Sequence, residues 1–146
     1  MPKPFSFKLE KVLDFRGQLE EQAKAALAAA QEAYDSQSAV VENLTNQLAQ
    51  HLNNERQSQK SANDMWLWRQ YKEALEQDLS RERLRLSELE LNLHQRRQEA
   101  VDRSKERKLL EKLKDTQAKK YHDEESAREE KENDEMATIR YESKDF

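Results

Sequence analysis

The chain has 146 residues, of which 38% are charged and 35% hydrophobic, with a formal net charge of −4 and no cysteine. The apolar share lies below the roughly 45–50% of ordinary globular domains and the charged share above roughly 25%, which argues against a compact core. Disulfides, thiolate metal centres and thiol nucleophiles are excluded outright.

From Phe5 to Phe146 there is no proline and one glycine, Gly17. Apolar residues recurring every three or four positions through such a stretch predict long α-helix. Disorder is the competing reading for so charged a chain; the strict apolar spacing argues against it over the body and less so over the last dozen residues. The slightly negative balance speaks against a protein that coats nucleic acid. The longest uncharged apolar stretch is Ala25 to Ala30, so neither a signal peptide nor a membrane span is expected.

The first helix is predicted over about residues 5–54, after Pro2 and Pro4, with Ser6 as N-cap. One heptad position carries Leu9, Arg16, Ala23, Ala30, Gln37, Leu44 and His51, and the next carries Val12, Leu19, Ala26, Ala33, Val40 and Gln47. A flanking position adds Leu13, Leu27, Tyr34, Val41 and Leu48. The alanines between Ala23 and Ala33 would let a partner helix approach closely, and Gly17 would do the same at a propensity cost of about 1 kcal/mol relative to alanine.

Residues of about 55–63 are polar and read as the turn of a hairpin, with Ser61, Asn63 and Asp64 offering acceptors to the free amides of a new helix. One uninterrupted helix is the alternative. The second helix, about residues 64–140, runs through Met65, Trp66, Trp68, Tyr71, Leu75, Leu79, Leu86, Leu89, Leu93, Ala100, Leu110, Leu113 and Tyr121. Between Leu93 and Leu109 the seam keeps only Ala100 and Val101, which makes that stretch its weak part. A turn centred near residue 59 or 60 sets Leu44 against Leu75, Leu52 against Trp66 or Trp68, and Leu9 against Leu110. The expected fold is all-α, an antiparallel two-helix coiled-coil hairpin whose second helix extends past the first, forming a single domain over 1–146. Each arm would be roughly 70 Å long.

About thirty residues after Leu113 would then lack a partner within the chain. From Arg96 to Lys120 there are ten Lys or Arg against five Asp or Glu, and from Tyr121 to Glu135 eight acids against Arg128 and Lys131. Many opposite charges lie three or four apart and read as helix-stabilising pairs on a solvated face. No aromatic interleaves the basic block, so nucleic-acid binding is the weaker reading of it.

Enzymatic chemistry finds no support. His51, His94 and His122 are far apart and none follows an acid by three residues, so helical di-iron motifs are missing. No zinc, metalloprotease or nucleophile-elbow motif occurs, and one glycine forbids a phosphate-cradling loop. Nothing calls for a cofactor. Trp66 and Trp68 are about 200° apart on a helix, so one of them must leave the seam, either as part of a plug at the turn or as an outward anchor for a partner.

Two motifs carry a resemblance. The run Leu110-Glu111-Lys112-Leu113-Lys114, then Tyr121, then Glu129 to Ala137 with Lys131, Asp134 and Glu135, resembles the tail of the FliJ family of flagellar export proteins. The opening Phe7-Lys8-Leu9-Glu10-Lys11-Val12-Leu13-Asp14-Phe15-Arg16 is similar to that family's start. Asn133 and Glu130 depart from its pattern. The resemblance implies an antiparallel coiled coil similar to the central stalk of rotary ATPases, in the cytoplasmic part of a type III export apparatus at the inner membrane. It also implies binding to the flagellar export ATPase and its regulator, to the cytoplasmic domain of the export gate, and to export chaperones. On this basis the gate would be met through Leu44, Tyr71 and Leu75, although Gln47, His51, Asp78 and Glu82 differ from the family; Trp66 and Trp68, as candidates for an outward anchor near the turn, join that surface. The ATPase would be met through Leu110, Leu113, Tyr121, Glu129, Lys131, Asp134 and Glu135. No nucleic acid or small-molecule substrate is expected. The competing function is a structural coiled-coil spacer or dimerisation module, which a stable parallel dimer in solution would favour over a monomeric hairpin.

Overall fold

The computed structural model describes residues 3–58 and 60–144. Pro2 and Gln59, on which the expected helix start and turn centre partly fall, lie outside the described residues. Helix α1 spans Glu10–Asn53, α2 is the single turn Glu55–Ser58, and α3 spans Ala62–Lys144. The fold is all-α: α1 and α3 run antiparallel and packed together, with 44 residues in α1 and 83 in α3.

The ends of the helices have local causes. Pro4 disfavours helical backbone at Lys3, and Phe7, buried at the start of the chain, holds the entry to α1. The Glu10 amide donates to the Phe7 carbonyl at 3.1 Å and the Leu13 amide to Leu9 at 2.9 Å. Ser6 therefore sits four residues ahead of Glu10 and outside the helix it was expected to cap. At the other end the Asn54 amide closes α1 on the Gln50 and His51 carbonyls. Ser61 does act as a cap for α3: its Oγ accepts the Asp64 amide at 3.1 Å, which satisfies one of the free donors of the first turn.

Contacts gather the residues into two units, Glu21–Asp102 and the remainder. Within Glu21–Asp102 the seam buries Ala23 and Ala30 of α1 against α3, which contributes Trp68, Leu75, Leu79, Leu93 and Ala100. Gln37 is buried as well; its amide donates to the Glu82 carbonyl at 3.0 Å and to the Glu82 carboxylate. A buried amide with both protons placed carries little desolvation cost.

From Arg16 onward the first heptad string of α1 faces α3 as expected, with Leu9 exposed, but the second string is half-buried only at Leu19 and Ala26. Val12, Ala33, Val40 and Gln47 are exposed, and the flanking string Leu13, Leu27, Tyr34, Val41 and Leu48 is turned inward. Burial stabilises in proportion to apolar area, about 25 cal/mol per Å², so the bulkier string wins. That choice carries Glu20 into the seam.

In the other unit the seam is correspondingly ionic. The Glu20 side chain is buried and its carboxylate holds Arg107 at 2.7 Å, while Arg107 also meets Glu111 at 2.6 Å. Arg16 and Arg103 share Glu106 at 2.7 and 3.3 Å, and Lys114 meets Glu10 at 2.8 Å. The hydrogen bond to Glu20, followed by that to Glu111, raises the Arg107 guanidinium further above its ordinary range. The hydrogen bond that Lys114 donates to Glu10 likewise holds its ammonium above the usual lysine value.

Two expectations about the open end are corrected. Gln37 with Glu82 and His51 with Trp68 keep the register set by the turn. Glu20 and Glu10, however, take Arg107 and Lys114, each more than one helical turn further along α3 than that register predicts. Long basic side chains lean toward their helix N-terminus, so they reach partners that lie beyond their own level. The partnered part of α3 also continues past Leu113: the Phe5 ring meets Tyr121 with centroids 5.7 Å apart, and the Tyr121 hydroxyl donates to the Lys3 carbonyl. The non-helical Lys3–Phe7 segment covers part of what a helix starting near residue 5 would have left bare. Beyond Glu125 every residue of α3 with a described side chain is exposed.

Gly17 was expected to permit close approach, yet a Cβ built there meets nothing within 4 Å. Gly17→Ala is therefore expected to raise stability by about 0.5–1 kcal/mol in urea unfolding, through helix propensity alone. Lys114 gives a pH prediction of defined sign. Its folded value is raised over an unfolded value near about 10.4, so its contribution is complete below that value and is lost as pH rises through the folded one. The melting-temperature gap between the native protein and Lys114→Met should accordingly be larger at about pH 9 than at about pH 11.5.

Candidate partner-binding surfaces

The turn-proximal surface is built by two tryptophans two residues apart. Trp68 is 6% exposed and Trp66 57% exposed, as their separation round the helix requires. His51 fixes this arrangement. Its ring stacks on Trp68 at 4.7 Å between centroids and meets Tyr71 edge-on at 4.7 Å. The hydrogen bonds are reciprocal: the Trp68 indole N–H donates to the His51 carbonyl at 3.1 Å, and His51 Nε2 lies 2.8 Å from the Trp68 carbonyl. A carbonyl can only accept, so Nε2 carries the proton. Lys72 places its ammonium 5.8 Å from the Trp68 ring centroid, a cation–π distance.

Around this clasp Leu52, Trp66, Leu67 and Tyr71 are exposed. Among the residues singled out for a gate, Trp66 and Tyr71 thus lie on the surface, Trp68 and Leu75 lie in the seam beneath, and Leu44 is half-buried. Leu52 was expected in the seam against Trp66 or Trp68 and is exposed instead, and Leu67 was not singled out from sequence. Leu67 falls off the inward heptad strings, and an apolar residue out of phase with the seam was the available signal. His51 was placed in the seam string, but its role as the link between Trp68 and Tyr71 needs the geometry.

The second surface lies on α3 beyond Arg103. Leu110 is half-buried, Leu113 is exposed, and Leu109 beside them is more exposed still. Tyr121 is half-buried against Phe5. Glu129, Lys131, Asp134 and Glu135 stand exposed on the solvated continuation of the helix. Glu125 and Arg128 pair at 3.0 Å, one of the spacings that support a helix on its own surface. Met136, Ile139 and Tyr141 are exposed further on; sequence reasoning passed over them because they follow no heptad. These side chains share one helix rather than converging on a common point.

Among the described residues no group of three or more His, Asp or Glu side chains is placed to hold a metal ion, and no helix is long and apolar enough to cross a membrane.

Comparison with known proteins adds three findings. A family model described as "Flagellar FliJ protein" matches residues 5–145. No curated protein matches. Among solved structures, a YscO homolog from Chlamydia trachomatis is similar at 20% identity, over 95% of this chain and 96% of that one, with a TM-score of 0.47.

The two tryptophans should separate cleanly in experiment. Trp68→Ala is expected to cost about 3–5 kcal/mol in chemical unfolding, and Trp66→Ala less than about 0.5 kcal/mol. Emission from a Trp68→Phe variant, which reports Trp66 alone, should be red-shifted and readily quenched by acrylamide; that of Trp66→Phe should be blue-shifted and protected.

Proposed function

The chain belongs to the flagellar FliJ protein family, whose members are non-enzymatic components of the flagellar export apparatus, and on that premise we propose that it works by binding alone, as a rod held between an ATPase ring and an export gate. The observation that carries this reading is the length of α3. It passes beyond the contact of Tyr121 with Phe5 and, past Glu125, continues as a charged helix whose described side chains are exposed. A helix of that kind is what a ring-shaped partner can enclose from all sides.

The proposed contact with the flagellar export ATPase and its regulator uses Leu110, Leu113 and Tyr121 where the N-terminal segment ends, and Glu129, Lys131, Asp134 and Glu135 on the solvated part. The acidic balance of this region favours a partner surface rich in lysine and arginine. The proposed contact with the cytoplasmic domain of the export gate uses Trp66 and Tyr71, the type of large amphipathic anchors that dominate interface energetics. Trp68, buried and stacked on the same His51 that meets Tyr71, belongs to the proposed contact from the seam side, together with Leu44 and Leu75. Export chaperones are further proposed partners. The protein would act on the cytoplasmic side and meet the inner membrane only through what it binds.

Deletion of Asp123 to Phe146 tests the reading. The truncated protein should keep its helical circular dichroism per residue and its melting temperature within a few degrees, and should lose co-purification with the export ATPase. Undiminished co-purification by a folded truncation would overturn the proposal.

A further inference from the structure

Leu84 and Leu91 are 64% and 61% exposed, although they lie in the middle of the paired part of α3. They are not scattered exceptions. At about 100° per residue they fall roughly opposite the seam formed by Leu75, Leu79, Leu86, Leu89 and Leu93. Ser80 and Ser87 share their face, so that Ser80, Leu84, Ser87 and Leu91 follow one another at spacings of four, three and four. This is a second coiled-coil stripe, uncharged and alternately small and large, on a helix whose other outward positions are mostly charged.

The charges beside the stripe are ordered as well. Arg81 and Arg83 flank its first half, Glu88 and Glu90 its second, and all four are exposed. A helix laid alongside in parallel register would set arginine against arginine and glutamate against glutamate. Turned end for end about a two-fold axis, the same helix sets Leu84 against Ser87 and Leu91 against Ser80, large into small. In that arrangement Arg83 comes opposite Glu90 of the second copy and Arg81 opposite Glu88. Stripe and flanks are thus self-complementary in one orientation only.

We propose that this face pairs with a second copy of the chain, antiparallel, while the internal hairpin stays intact. Two leucines per copy cover less than the roughly 1,200–2,000 Å² of a stable interface, so the dimer is weak and forms where the protein is concentrated. Its arginine–glutamate contacts are exposed and weaken with salt.

Sedimentation velocity of the full chain at low salt, from about 1 μM to about 1 mM, tests the pairing. The expected result is a reversible monomer–dimer equilibrium, weakened at least ~tenfold by Leu84→Glu with Leu91→Glu. Both leucines are exposed, so circular dichroism should show these variants folded. Arg83→Glu alone should weaken the dimer, and Arg83→Glu with Glu90→Arg should restore it, an outcome that a folding defect would not produce. The chain has no cysteine, so Gln70→Cys gives a unique spin label. Antiparallel copies place the two labels about 45 Å apart along the helix axis, parallel copies within the roughly 10 Å interhelical spacing plus the label arms. A monomer throughout the range, a dimer indifferent to the leucine and charge changes, or a short label distance would each overturn the proposal.

Discussion

The constraint on which the rest depends is that seven residues make almost, but not quite, two turns of an α-helix. Residues seven apart in α1 and α3 stay on one face only if the helices wind slightly round each other, which commits each to the other along its paired length. With so little apolar surface per turn, neither helix has another face on which to build a core. The choice of heptad string in α1 therefore decides what every neighbouring residue does. Turning Leu27, Tyr34, Val41 and Leu48 inward brings more apolar area out of water than Ala26, Ala33, Val40 and Gln47 would, and it is this rotation that delivers Glu20 to the seam.

The seam is also a code for register. Gln37 donating to Glu82, and His51 and Trp68 exchanging hydrogen bonds, are satisfied at one alignment of the helices; a slide by a heptad would bury the same groups with no partners, at about 1–3 kcal/mol each. Glu20 with Arg107 has the same character, because a carboxylate out of water tolerates no apolar neighbour in place of its guanidinium. Such pairs add little to net stability relative to well-packed leucine. Their effect is to make the wrong alignments worse, which a repetitive apolar stripe by itself does not do.

How much of this was legible in the sequence follows the physics of each signal. The absence of proline and the spacing of the leucines made helix type plain, and the coinciding apolar ends favoured an antiparallel hairpin of unequal arms over one uninterrupted helix, because those signals depend on many residues acting together. Ser61 was legible as a cap because its chemistry is local. The inward string of α1 was ambiguous, since both candidate strings are apolar and only the summed area separates them. The alignment at the open end was hidden for a different reason: it rests on how far Arg107 and Lys114 reach, and a long flexible side chain has no fixed address in a heptad. The non-helical segment that brings Phe5 to Tyr121 gave no periodic signal at all. For the candidate surfaces, the angle between Trp66 and Trp68 announced that one must face outward, but the choice between them rests on His51, seventeen positions away in the chain.

The continuation of α3 beyond Tyr121 differs from an isolated peptide of the same composition. A free segment of some twenty residues must first close a turn from coil, an event with a statistical weight near 10⁻³, and is marginal in water. Here the paired part of α3 supplies the nucleus, so each further residue joins a helix already begun, and pairs such as Glu125 with Arg128 help it along. A binding partner consequently meets side chains already set at helical intervals, and capture demands a smaller loss of chain freedom than the folding of a loose tail would.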